Sequence, residues 1–167
     1  MNTHATALFP DRHSTHVAVE QLVQAGFPKD TIGVVMSEDT HEREFGLASP
    51  DRSGVRIARA GGVLGAIVAG LVPVARPGDK VVRVAGPPVV AVTSSGSLHA
   101  AFVALGLSEE EARAAHARLH YGAIVVAVRA AAERLPLAMQ LLELSGGAAP
   151  EAERPRSTAG PRSRPFR

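Results

Sequence analysis

The chain has 167 residues, 46% hydrophobic, 4% aromatic and 20% charged, with no cysteine and no tryptophan: one modest domain plus a tail, too apolar for wholesale disorder. The missing cysteines exclude disulfides, cysteine-ligated zinc, iron–sulfur clusters and thiol nucleophiles. The net charge of +2 is uneven, because Arg154, Arg156, Arg162, Arg164 and Arg167 outweigh Glu151 and Glu153 and leave −1 for residues 1–150, which excludes a basic nucleic-acid-binding face on the folded part.

Ala5 to Phe9 is an apolar run ending at Pro10-Asp11 and predicts a first strand. Asp11 or Ser14 can cap the helix that follows, in which Ala18, Leu22 and Ala25 share a face. Gly26-Phe27-Pro28 stops it, and Thr31 to Met36 predicts a second strand, giving a βαβ unit. Residues 37–54 are polar and turn-rich and read as a loop.

Residues 55–106 change character. Ala58, Gly62, Ala66 and Gly70 form one helical ridge of small residues, and Gly61, Gly65 and Ala69 form another. Residues 72–88 hold four prolines and two glycines and read as a turn or broken segment. A second apolar stretch, 89–106, carries Gly96, Ala100 and Ala104 at spacing four. Small side chains let helix backbones approach, so the two stretches predict a glycine-zipper helical hairpin. Its ridges are the expected helix-packing and interaction surface.

Ser108 and Glu111 form a capping-box pattern for a helix in which Ala112, Ala115 and Leu119 share a face. After Tyr121-Gly122, Ala123 to Val128 is apolar at every position, as in a strand buried on both faces. A last helix starts near Pro136, has Leu137, Leu141 and Leu144 with Ala138 and Leu142 as its inner face, and stops at Gly146-Gly147. From 148 to 167 the composition predicts a disordered Pro/Arg-rich tail.

The Gly26-Phe27 helix stop, the Pro77-Gly78 and Gly86-Pro87 turns, Leu105-Gly106-Leu107 before Glu109-Glu110-Glu111-Ala112, and Gly122 ahead of the strand occur in a recognisable order. In this the chain resembles the bacterial general-stress-protein family with a heat-induced YflT-like domain, in its version with a glycine-rich insert. The resemblance covers about 5–147. It implies an α+β, ferredoxin-like sandwich interrupted by the 55–106 hairpin, and a link to stress response. It carries over no catalytic residues. Thr93, Ser94, Ser95 and Ser97 stand where glycine and alanine are usual in that insert.

The polar motifs have plainer readings. His116 and His120 are spaced i, i+4, which suits a divalent metal, but no glutamate lies between them and no third ligand is evident, so a solvated helix face is expected. His13 and His16 sit at a helix start, and His41 in a loop. Ser94, Ser95, Ser97 and His99 lack a Gly-x-Ser-x-Gly elbow. Gly61-Gly62-x-x-Gly65 lacks the dinucleotide register.

The expectation is therefore a non-enzymatic, stress-associated structural module, with no cofactor, no metal, no specific nucleic acid and no small-molecule substrate. It self-associates or binds a protein partner through the hairpin. The alternative is membrane association: 60–75 and 84–108 are uncharged runs of marginal spanning length, with Arg76, Lys80 and Arg83 between them. The N-terminus has no signal-peptide pattern, so a cytoplasmic address is expected.

Overall fold

The computed structural model describes residues 4–45, 62–75 and 80–148. Its frame is a five-stranded, wholly antiparallel sheet in the order β1-β5-β2-β4-β3. The strands are β1 (His4–Phe9), β2 (Ile32–Ser37), β3 (Val72–Val74), β4 (Val82–Ala85) and β5 (Ile124–Arg129). β5, last in the chain, lies between β1 and β2, and Val126 pairs with Ala7 on one side and Val34 on the other. That position explains why Ile124 to Val128 are all buried.

Seven helices are present among the described residues: α1 (Arg12–Gln24), α2 (Glu38–Phe45), α3 (Gly62–Ala69), α4 (Pro88–Ser94), α5 (Leu98–Ala104), α6 (Glu109–His120) and α7 (Leu135–Leu144). Alternation along the strands sends side chains to opposite faces. On one face Ala7, Phe9, Val34, Met36, Ile124 and Val126 meet Leu22 of α1, Leu64 and Ile67 of α3, and Leu142 of α7. On the other, Leu8, Val35, Val84 and Val125 meet Val92 of α4, Phe102 of α5 and Leu119 of α6. Each large aliphatic or aromatic chain so buried contributes about 1.5–3 kcal/mol.

The α+β class is as expected, but the arrangement differs from a ferredoxin-like sandwich. Helices segregate to one face of that fold, whereas both faces of this sheet are covered.

The glycine-zipper hairpin is corrected more sharply. Its two arms lie on opposite faces of the sheet: α3 packs with α1, while α5 packs with α6 and α4 packs with α5 and β4. Leu64 and Ile67 of α3 face inward, and Gly62, Ala66, Ala69 and Gly70 are exposed. A methyl added at Gly65 or Gly96 would meet nothing within 4 Å among the described residues. Bulky chains gain more from leaving water than slim ones; only at the Gly62 end does the ridge approach another described helix, where an added methyl would stand 2.7 Å from Glu20 Oε2 of α1. The second arm is also broken. Ser97 caps α5 by accepting from Ala100 N–H at 3.0 Å, so 89–106 folds as two short helices.

Two more differences concern missed elements. The "broken" segment contains β3 and β4; Pro73 is accommodated because β3 is the edge strand, where an absent N–H costs no ladder bond. The start of the expected loop is α2, whose first turn is capped by Ser37: its hydroxyl accepts from Thr40 N–H at 3.1 Å. Residues 46–61, including Ala58 and Gly61, residues 76–79, and the tail from 149 onward lie outside the described residues. At the boundary, Ala148 pairs with Leu8 across the outer edge of β1 through two 2.9 Å hydrogen bonds.

Caps and strand positions elsewhere follow expectation. Asp11 accepts from Ser14 N–H and Oγ–H, both at 2.9 Å, and these bonds hold its carboxyl below the usual range. Ser108 and Glu111 complete the reciprocal capping box of α6.

Candidate functional site

Where β1 ends and β5 begins, the described residues enclose an open cleft of about 500 Å³. Leu8, Phe9 and Pro10 underlie it, α2 contributes Arg43, and α6 contributes Arg118. Tyr121, Gly122 and Ala123 form the wall before β5, and Gly146 and Ala148 close the side below α7. The strand ends lie together because β1 and β5 are paired, Phe9 opposite Ile124.

Arg43 is held in place. Its Nη2 donates to the Gly122 carbonyl at 3.2 Å and its Nε to Glu44 Oε2 at 3.0 Å. Glu44 is anchored in turn: Oε1 accepts from Arg12 N–H and its carbonyl from Arg12 Nη1, both at 2.9 Å. The Arg12 guanidinium lies 5.6 Å from the centre of the Phe45 ring. The end of α2 is thereby stitched to the start of α1, and Arg43 spans to the turn after α6. Arg43 and Arg118 are the charged residues that line the cleft, and the Glu44 carboxylate bonded to Arg43 is shared with Arg12. Tyr121, the only tyrosine, stands 90% exposed at the mouth.

The root of α2 is also tied to the sheet. Arg83 of β4 donates to Glu38 through Nε at 2.7 Å and Nη2 at 3.2 Å. Those bonds hold the Glu38 carboxyl below its ordinary value and raise the Arg83 guanidinium. His41, stacked on Phe45 at 6.3 Å, is lowered first by burial and then by the Arg83 charge.

The sequence-predicted interaction residues do not come together. Gly62, Gly65, Ala66, Ala69 and Gly70 lie at α3, on one side of the sheet; Gly96, Ala100 and Ala104 lie at α5, on the other. The serines serve the backbone: Ser94 Oγ donates to the Val90 carbonyl at 2.6 Å, and Ser97 caps α5. His99 contacts Glu109 at 2.8 Å. His116 and His120 converge on each other, Nε2 to Nε2 at 3.2 Å. Among the described residues no group of three or more His, Asp or Glu is placed to hold a metal ion. No described helix is long and apolar enough to cross a membrane.

Sequence reading missed Arg43, Arg118 and Tyr121 because they sit in a supposed loop, on a solvated helix face and at a helix stop. The single tyrosine was the one usable signal.

Comparison of the chain with protein-family models, with curated proteins and with solved structures gave no match.

Proposed function

We propose that the chain is a non-enzymatic binding module with a stress-associated role, and that its working surface is the cleft between α2, the α6 turn and the β1 end. The ligand class is a small amphipathic monoanion, a carboxylate on a short apolar body. The observation that carries this reading is the fixed Arg43 guanidinium. Two of its five N–H groups are engaged by Gly122 and Glu44, which fixes the guanidinium at a cleft that Arg118 also lines. Guanidinium forks match carboxylates in two-bond geometry. The cleft volume falls within the range of small-molecule sites. The stress association rests on the order of sequence features shared with the YflT-like family.

Titration of the full chain with octanoate, followed by backbone amide NMR, tests the proposal. Shifts should centre on Arg43, Arg118 and Tyr121–Ala123, and Arg43→Ala/Arg118→Ala should weaken binding at least tenfold. Inorganic phosphate should bind more weakly, having no apolar body. Unchanged octanoate affinity in the double variant, or shifts centred elsewhere, would sink the reading.

A further inference from the structure

α6, which lends Arg118 to the cleft, also carries two histidines that do not line it. His116 and His120 lie one turn apart on its half-buried flank. Their rings meet edge to face, centroids 4.7 Å apart and planes at 72°, with the two Nε2 atoms separated by 3.2 Å. A neutral imidazole has one N–H and one lone pair. The contact therefore needs a proton on one Nε2 and a bare lone pair on the other. Two Nε2–H groups at this distance would oppose each other. The pair therefore brings two Nε2 atoms together with a single proton between them.

That is also the requirement for a chelating pair. Two nitrogens bound to one zinc-sized ion at about 2.0–2.1 Å lie about 3.3–3.4 Å apart at a tetrahedral angle and about 2.9 Å apart at a right angle. The observed 3.2 Å falls between these limits. An ion takes the place of the shared proton once both rings turn their Nε2 lone pairs toward it.

We propose that His116 and His120 form a two-nitrogen site for a divalent transition ion of the imidazole-preferring class, zinc, nickel or copper, with water completing the coordination. Helical spacing i, i+4 sets the bite, as it does in helix-borne zinc motifs. Two protein ligands make a weaker, exchangeable site than the three of a catalytic zinc centre. Both imidazoles must be unprotonated at Nε2 to bind, so occupancy falls with acid.

The experiment uses full-length protein carrying no affinity tag, because five other histidines are present. Nickel(II) is titrated at pH 7.5 and followed by calorimetry and by paramagnetic broadening of amide and imidazole resonances. Broadening centred on His116, His120 and the C-terminal half of α6 is expected, with affinity at least tenfold lower in His116→Gln and in His120→Gln and lost by pH 5.5. Glutamine keeps a polar side chain of moderate length on the helix; thermal unfolding of each variant reports whether the fold survives, and wild-type broadening locates the ion without any variant. Broadening centred on His13 and His16, or nickel affinity unchanged in the His116→Gln/His120→Gln double variant, overturns the assignment.

Discussion

Gly122→Ala joins the stability of the fold to the geometry of the cleft. Gly122 has φ +109°, a conformation that costs a side-chain-bearing residue about 1–2 kcal/mol. Its added methyl would stand 3.1 Å from Nη2 and 3.3 Å from Nη1 of Arg43. The guanidinium must retreat, and its 3.2 Å bond to the Gly122 carbonyl must lengthen. Loss of that bond adds about 1 kcal/mol. Gly26 is an internal control, with φ +100° at the end of α1. There the nearest atoms are Arg134 Nη2 and Nη1 at 3.6 and 3.8 Å, ordinary contact distances. Gly26→Ala should cost about 1–2 kcal/mol by the backbone alone, and Gly122→Ala about 2–3 kcal/mol. At about 2–4 °C per kcal/mol for a chain of this size, urea and thermal unfolding separate the two. Octanoate affinity should fall several-fold in Gly122→Ala and stay unchanged in Gly26→Ala. Equal stability losses with equal octanoate binding would refute the role given to Arg43.

Two further outcomes follow from particular contacts. Gly65→Ala should raise stability by about 0.5–1 kcal/mol, because helix-interior glycine is entropically costly and no atom of another described element lies within 4 Å of the new methyl; a loss of stability on urea unfolding would restore the close-packed zipper. Arg83→Met should lower stability at pH 7 by about 0.5–1 kcal/mol, the scale of a part-exposed pair. The folded Glu38 carboxyl is depressed by Arg83, so the pair's contribution is present above the ordinary carboxylate range and is lost as pH falls through the folded value. Urea midpoints of variant and parent should therefore converge as pH falls, and a gap that does not narrow with acid would show that something other than the ion pair is being measured.

Much of the fold was legible in local chemistry. The Asp11 cap, the Ser108–Glu111 box, the Gly26 and Gly122 stops and the all-apolar Ala123–Val128 run each express a backbone or burial requirement satisfied within a few residues. These signals placed β1, α1, β2, α6, β5 and α7. The short elements were not legible. α2 is mostly polar and gains its place from Arg83 and Arg12, both distant in sequence. β3 contains a proline that only an edge position tolerates, and nothing local announces an edge. Arg43 and Arg118 are 75 positions apart and share a cleft because the end of β2 lies beside the start of β5.

The small-residue ridges of 55–106 show where local reading ends. Spacing at three and four establishes which side chains share a helical face, and it did so for α3: Leu64 and Ile67 lie together, as do Gly62, Ala66 and Ala69. Which face turns inward is not a property of the helix. The sheet supplied apolar ground for Leu64 and Ile67, and Glu20 of α1 accepts from Val63 N–H at 3.2 Å to hold the end of α3 there. Periodicity along the chain thus determined the faces, and burial against a sheet assembled from distant strands decided their direction, because the free energy of removing apolar area from water depends on what is opposite.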